Sequence, residues 1–196
     1  MDLLNFNEEG IFYRVRAYGH AYGKMSKWIV FSISLITLPI FLSAASKDEL
    51  FTKLNQDSDA KIRIADLGRL TASHLNAQDV PKIEPFLQDS DPKVRAQTIV
   101  TLGSIGGKQA VVDIQKVLLT DHDAGVRIAC AFWLGSLRDD SSVPALDKVL
   151  ARDPDANVRT AAAQALKQIG TSGAKNALGR GKSDVDKRVK RLANEP

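Results

Sequence analysis

The sequence predicts an all-α fold in which helix pairs stack into a superhelix, or solenoid. Four segments align without a gap between Asp57 and Gly170, each starting 32 residues after the last, and each begins with Asp-x-Asp, two further residues, then a β-branched residue and Arg. Aromatic residues make up only 6% of the chain while alanine is frequent, which suits close helix packing. Self-similarity at a fixed period of this length is typical of stacked repeats.

The composition is consistent with a folded domain and excludes some classes of partner. Hydrophobic residues form 44% of the 196 residues, enough to build a core. The net charge of +4 comes from 27 basic and 23 acidic residues, a balance too even to indicate a nucleic-acid partner. The single cysteine, Cys130, excludes an internal disulfide and a cysteine-based zinc cluster.

The first element is a hydrophobic helix near the N-terminus. Residues 28–46 carry no charge, and Lys24 and Lys27 precede them. We assign 25–45 to a signal peptide or membrane anchor, and 1–24 to an N-terminal extension that precedes the true start at Met25. Mass spectrometry of the precursor tests that start, because a peptide from residues 1–24 would contradict it.

Small residues follow the apolar run and favour cleavage. Ser43-Ala44-Ala45 places small side chains where a signal peptidase acts, so we expect cleavage after Ala45. The alternative is an uncleaved anchor, because the run approaches the length that crosses a bilayer. Either form places the repeats outside the cytoplasm: in a bacterial periplasm, or attached to the inner membrane.

The repeat domain is expected over 46–196. The second Asp of each segment precedes Ala or Pro and is predicted to cap a helix, and Gly106 and Gly170 are predicted to end two of these helices. The motifs lie at 57–63, 89–95, 121–127 and 153–159, with a degenerate fifth at 184–190. The capping residues are Asp59, Asp91, Asp123 and Asp155.

Shorter amphipathic segments between the motifs complete the helix pairs. We predict these partner helices at Val80–Leu87, Val111–Leu119 and Val143–Leu150, and a glycine-interrupted helix at Ser172–Leu178. About five pairs result. Asp66 replaces the small residues of later repeats, which predicts that one side of the first repeat faces solvent.

These motifs resemble those of HEAT repeats, particularly the short form of phycobilisome-lyase-like proteins. Asp, Val-Arg, Ala and Leu-Gly recur, the last as Leu102-Gly103 and Leu134-Gly135. The resemblance implies an inter-repeat ladder between the turn aspartates and the helix arginines. Its members are Asp57, Asp89, Asp121 and Asp153 with Arg63, Arg95, Arg127 and Arg159.

No catalytic, cofactor or metal site can be assembled from the sequence. The three histidines lack a second histidine or cysteine at metal-ligand spacing, and the His-Glu pair that holds iron in HEAT-repeat hydroxylases is missing. Cys130 replaces Thr98 and Ala162 of other repeats, which indicates a small core residue. We therefore predict no enzyme and no cofactor, with a lyase-type enzyme subunit and a membrane-tethered assembly factor as the alternatives.

The predicted function is that of an exported scaffold that binds a protein partner through the solenoid groove and is monomeric alone. The resemblance implies that second helices line this groove, where Val100, Ile128, Phe132 and Trp133 would form an apolar stripe. The alternative is that the two aromatic residues fill space between repeats. Residues 175–191 are basic, which indicates a solvated cap or a contact with an anionic membrane surface or an acidic partner.

Overall fold

The structure is a computed structural model that describes residues 6–7, 10–11 and 46–194. Two units divide the chain, Met1–Ala44 and Ala45–Pro196. In the first unit, strand β1, Phe6–Asn7, pairs antiparallel with strand β2, Gly10–Ile11. The predicted signal or anchor segment 25–45 lies outside the described residues. Among the helices that are described, none combines the length and apolar character needed to cross a bilayer.

The second unit is helical throughout, as the repeat pattern predicts. Short 3-10 helices occupy Ala77–Asp79, Glu84–Gln88, Asp140–Ser142 and Gly179–Ser183. The described α-helices are α1 Lys47–Gln56, α2 Ala60–Thr71, α3 Val80–Ile83, α4 Pro92–Ile105, α5 Gly107–Thr120, α6 Ala124–Leu137, α7 Val143–Arg152, α8 Ala156–Ile169, α9 Ser172–Leu178 and α10 Lys187–Asn194.

The second helices of the pairs are α2, α4, α6, α8 and α10. The predicted aspartate caps of the first four are confirmed, since each carboxylate accepts a backbone N–H of the first turn, as Asp91 does from Lys93 at 2.7 Å. Helices α4 and α8 end at Gly106 and Gly170, whose φ angles are 69° and 71°. Glycine adopts such left-handed angles without the steric cost of a Cβ atom.

The first helices follow the prediction less closely. Helices α5 and α7 cover the predicted segments and extend beyond them. The prediction of one helix over Val80–Leu87 is wrong, because α3 ends at Ile83 and the chain continues as a 3-10 helix. Pro85 lacks the N–H that a continuing α-helix would use, and its ring crowds the preceding turn.

The core runs along the stack between the two helix layers. Successive second helices pack on one another, α2 on α4, α4 on α6 and α6 on α8. The β-branched residue of the motif is fully buried in four repeats, as Val94, Val126, Val158 and Val189. The equivalent Ile62 of the first repeat is 44% exposed. Burial is thus shared between repeats.

Asp66 corrects one expectation about the first repeat. The polar side chain predicts that one side of the first repeat faces solvent, but Asp66 is only 1% exposed and accepts a hydrogen bond from Arg69 at 2.6 Å. Helix α1, which the sequence interpretation did not assign, packs on α2 through Leu50 and Leu54. The first repeat therefore has a complete helix pair.

Candidate functional site

The turn before each second helix organises the ion pairs of the stack. In the third repeat, Asp121 Oδ1 accepts the N–H of Asp123 at 2.9 Å, and Asp123 Oδ1 accepts that of Val126 at 3.0 Å. The same turn also holds the Arg127 side chain, because Nη1 of Arg127 donates to the carbonyl oxygens of Asp121 and His122. These two bonds orient the guanidinium toward the carboxylate of the next repeat.

Each arginine of the motif reaches forward to the next repeat. Arg127 donates from Nε and Nη2 to the two carboxylate oxygens of Asp153, at 2.8 and 2.9 Å. Two parallel bonds of this kind are stronger and more specific in geometry than a single contact. The four pairs, here called the ladder, are Arg63–Asp89, Arg95–Asp121, Arg127–Asp153 and Arg159–Asp184.

The ends of the ladder differ from the set that the resemblance implies. Asp57 makes no ladder pair in the described part of the chain; its carboxylate accepts the N–H of Asp59, and its carbonyl accepts from Arg63. Asp184, which was absent from that set, accepts both bonds of Arg159. The signal for Asp184 was the degenerate fifth motif, in which Lys190 replaces arginine.

Charge and burial act together on the ladder carboxylates. Burial is the largest single influence on Asp89 and Asp121 and opposes their ionisation, but the hydrogen bonds from Arg63 and Arg95, the backbone N–H bonds and the arginine charges together outweigh it, so the pKa of each carboxyl lies below its ordinary value. For Asp184 the bond from Arg159 is the main cause of a lowered pKa. These carboxyls are therefore ionised at neutral pH.

We expect the unfolding temperature to be level from pH 7 to about pH 5 and to fall below about pH 4. A carboxyl whose pKa is lower in the folded state stabilises the fold above its unfolded pKa of about 3.9, and that contribution is lost as the pH falls through the folded pKa. Circular dichroism melts at each pH measure this. Asp89→Asn should show a shallower fall, and an unfolding temperature that rises on acidification would contradict the assignment.

The predicted stripe residues lie on α4 and α6, and the structure separates the two aromatic residues. Phe132 is 55% exposed, while Trp133 is half-buried against α4. A Cβ atom added at Gly103 would overlap the ring of Trp133 at Cδ2, so the indole packs directly on that glycine. Trp133 thus fills space between repeats, whereas Phe132 faces solvent.

Phe132 rests on its neighbour in a defined geometry. The ring centroids of Phe132 and Trp133 are 5.7 Å apart at an interplanar angle of 87°, an edge-to-face arrangement that aromatic pairs prefer. Ile128 lies one turn earlier on α6, and Val100 lies on the adjacent α4; both are half-buried. Together these four residues form what we call the Phe132 patch.

Charges are sparse around the Phe132 patch. The described second helices contain one acidic residue, Asp66, which is buried. Helix α6 contains one charged residue, Arg127, which the ladder neutralises. Their other charges are basic, and Lys93 on α4 is exposed. The patch is therefore apolar and lies on helices that carry few charged side chains.

The basic C-terminal stretch is partly neutralised. Arg180 donates two hydrogen bonds to Asp147, and Arg188 pairs with Asp186 at 3.1 Å. The lysines of this stretch are exposed, namely Lys175, Lys182, Lys187 and Lys190. This arrangement fits the solvated cap better than a uniform cationic surface.

Two further residues from the sequence interpretation have clear positions. Cys130 is fully buried, which confirms it as a core residue, and burial raises the pKa of its thiol well above the ordinary value. His122 is exposed in the turn before α6. Within residues 46–194 no three His, Cys, Asp or Glu side chains are grouped as metal ligands would be.

Comparisons with known proteins identify the repeat. The family model for HEAT repeats matches residues 47–131 and 113–195. No curated protein matches the chain. Human deoxyhypusine hydroxylase in complex with glycerol is a similar solved structure, at 19% identity and a TM-score of 0.54, covering 76% of this chain and 61% of that one. The chain therefore spans less than two thirds of the hydroxylase.

A second similar structure is the complex of CpcE and CpcF of phycocyanin lyase from Nostoc sp. PCC7120. It is 20% identical with a TM-score of 0.60, and the likeness covers 92% of this chain and 67% of that one. At such identities a likeness shows the fold alone. The family match and this structure confirm the predicted resemblance to phycobilisome-lyase-like repeats.

These likenesses contradict the prediction that the chain is not an enzyme, so that prediction is wrong. Both similar structures belong to enzymes, a hydroxylase and a lyase. The prediction depended on the lack of a sequence motif, but side chains from successive helices can converge in space without any fixed spacing in sequence. The repeat fold is itself neither catalytic nor incompatible with catalysis.

Proposed function

Because the chain belongs to the HEAT-repeat family, we propose that it is a scaffold that binds a protein segment on its second helices, centred on the Phe132 patch. The exposure of Phe132 carries this proposal, since 55% of a large aromatic residue faces solvent on a face that is otherwise apolar or uncharged. Exposed apolar patches with a polar border are typical of protein interaction sites.

The support of Phe132 by Trp133 adds to the proposal. An aromatic ring held by an edge-to-face contact loses little conformational freedom when a partner covers it. Such rigid anchors near the centre of an interface contribute most of the binding energy.

We expect Phe132→Ala to reduce capture of the partner about tenfold or more, while the free energy of unfolding falls by less than about 1 kcal/mol. The exposed ring contributes little to the core but much to a contact. Affinity capture from the envelope fraction with quantitative mass spectrometry measures the first effect, and denaturant unfolding measures the second.

Val112→Ala is the matched control. Val112 is 56% exposed on α5, in the layer of first helices, so its truncation removes a comparably exposed apolar side chain away from the patch. Capture by this variant should equal that of the unaltered protein. The proposal fails if Phe132→Ala lowers the unfolding temperature by several degrees and leaves capture unchanged.

We also propose that the repeats lie outside the cytoplasm, in a bacterial periplasm or attached to the inner membrane. The uncharged run over residues 28–46, with lysines before it and small residues at its end, supports export. Fractionation of cells that produce the full chain tests this, and recovery of the intact chain in the cytoplasm would contradict it.

A subunit of a lyase-type enzyme is a second candidate function. The likeness to the complex of CpcE and CpcF over 92% of this chain favours it, because that lyase is built from a pair of chains. The same capture experiment separates the candidates. A second repeat protein recovered at equal stoichiometry, with activity in the pair, would favour the lyase-type subunit.

A further inference from the structure

A cleft interrupts the outer layer of the stack between the second and third helix pairs. The first helix of the second pair gives way to the 3-10 helix Glu84–Gln88, and this segment faces α5 across a cleft of about 580 Å³. Pro81, Pro85, Leu87 and Val117 contribute apolar surface to its walls. The cleft lies in the layer of first helices, whereas the Phe132 patch lies on the second helices.

The residues that line this cleft include a buried carboxylate, of which only one oxygen accepts a hydrogen bond. Asp113 is 6% exposed, and its Oδ1 accepts a hydrogen bond from Gln109 Nε2 at 3.0 Å. Among the described residues no group donates to Oδ2. A buried acceptor without a donor is uncommon in folded proteins and costs stability unless a partner supplies the missing bond.

The repeat pattern marks Asp113 as an exception. One period later in the sequence stands Ala145, which is buried in α7, and one period earlier stands Pro81. Alanine at the equivalent position shows that the stack needs no carboxylate there. Departures from a local pattern without a structural gain are expected at functional sites.

We propose that this cleft binds an alkylammonium group, with the Asp113 carboxylate turning toward the cleft to accept an N–H of the cation and the apolar walls contacting its methylene chain. Glu84 also lines the cleft and adds negative charge. A divalent metal fits less well, because residues 46–194 present no group of three metal-ligating side chains. A lysine side chain of a partner protein and a free aliphatic amine share this chemistry.

Lys116 is the competing donor within the chain. It lines the same cleft one turn after Asp113, and no ion pair joins the two side chains in the structure. If Lys116 were the natural partner of Oδ2, its removal would destabilise the fold as much as loss of the Asp113 charge. Lys116→Met is therefore part of the test.

Thermal unfolding of the full chain is measured with increasing butylammonium chloride at neutral pH. Tetramethylammonium chloride at equal concentration controls for charge without an N–H donor, and 1-butanol controls for the alkyl chain. We expect a saturable rise in the unfolding temperature with butylammonium only. Asp113→Asn should weaken the apparent affinity about tenfold or more, and Lys116→Met, which removes a competing cation from the same cleft, should strengthen it.

The outcomes decide between the explanations. Asp113→Ala, which places the residue of the fourth pair in the third, provides a second folded variant and should also lose the response. A stronger response to Nα-acetyl-lysine amide indicates a partner lysine, and a stronger response to 1,5-diaminopentane indicates a free amine. The proposal is overturned if no amine produces a saturable rise, if Asp113→Asn responds like the unaltered chain, or if tetramethylammonium acts equally.

Discussion

Arg127→Met should lower the free energy of unfolding by about 3 kcal/mol, because it leaves the Asp153 carboxylate buried without its partner. The two side chains are only 11% and 6% exposed, so water cannot replace the lost guanidinium. The substitution also removes the bonds to two carbonyl oxygens of the preceding turn. Urea unfolding followed by circular dichroism measures the loss.

Arg180→Met is the matched control for this prediction. Arg180 also makes two bonds to one carboxylate, that of Asp147, but its side chain is 61% exposed. Exposed pairs contribute little to stability because water and salt screen them. If both variants lost the same free energy, burial would not be the source of the ladder's contribution.

We expect Gly135→Ala to destabilise the stack by about 2 kcal/mol, although alanine is the better helix former. A Cβ atom at this position would lie 2.7 Å from the backbone Cα of Ala165 and 2.5 Å from Gln168 Oε1. The glycine thus permits the close approach of α6 and α8. Thermal and urea unfolding of the full chain measure the effect.

Gly68→Ala serves as the control, and we expect it to raise the free energy of unfolding where Gly135→Ala lowers it. Gly68 lies within α2, and a Cβ atom added there meets no other atom within 4 Å. The substitution should stabilise the chain by up to about 1 kcal/mol through helix propensity alone. A destabilisation shared by both variants would show that close packing at Gly135 is not the cause.

The repeat period predicted the second helices well because their determinants are local. An aspartate that caps a first turn and a glycine that ends a helix act within a few residues, so Asp91 and Gly106 could be assigned from sequence. The break in the first helix at Pro85 follows from an equally local rule, because proline lacks the N–H that a continuing α-helix needs, whereas the apolar spacing over 80–87 alone indicates one helix.

The ladder partners depended on packing and could not be read from spacing alone. Arg127 is six residues from Asp121 and 26 from Asp153, and only the stacking of the next pair brings the distant carboxylate to its guanidinium. The separation of Phe132 from Trp133 follows from the 100° turn between adjacent helical residues. A comparison across repeats indicates that Trp133 faces the neighbouring repeats, since the equivalent residues Thr101 and Ala165 are buried.

The forward direction of the ladder has a consequence for how such a chain grows. Every complete repeat supplies one arginine to its successor and one aspartate to its predecessor. Duplication or deletion of a whole 32-residue period therefore leaves no unmatched ion, whereas loss of a stretch that contains only one of the two residues strands one buried charge. At the fifth motif Lys190 replaces arginine, and its ammonium cannot offer the planar two-bond fork that the other four arginines use.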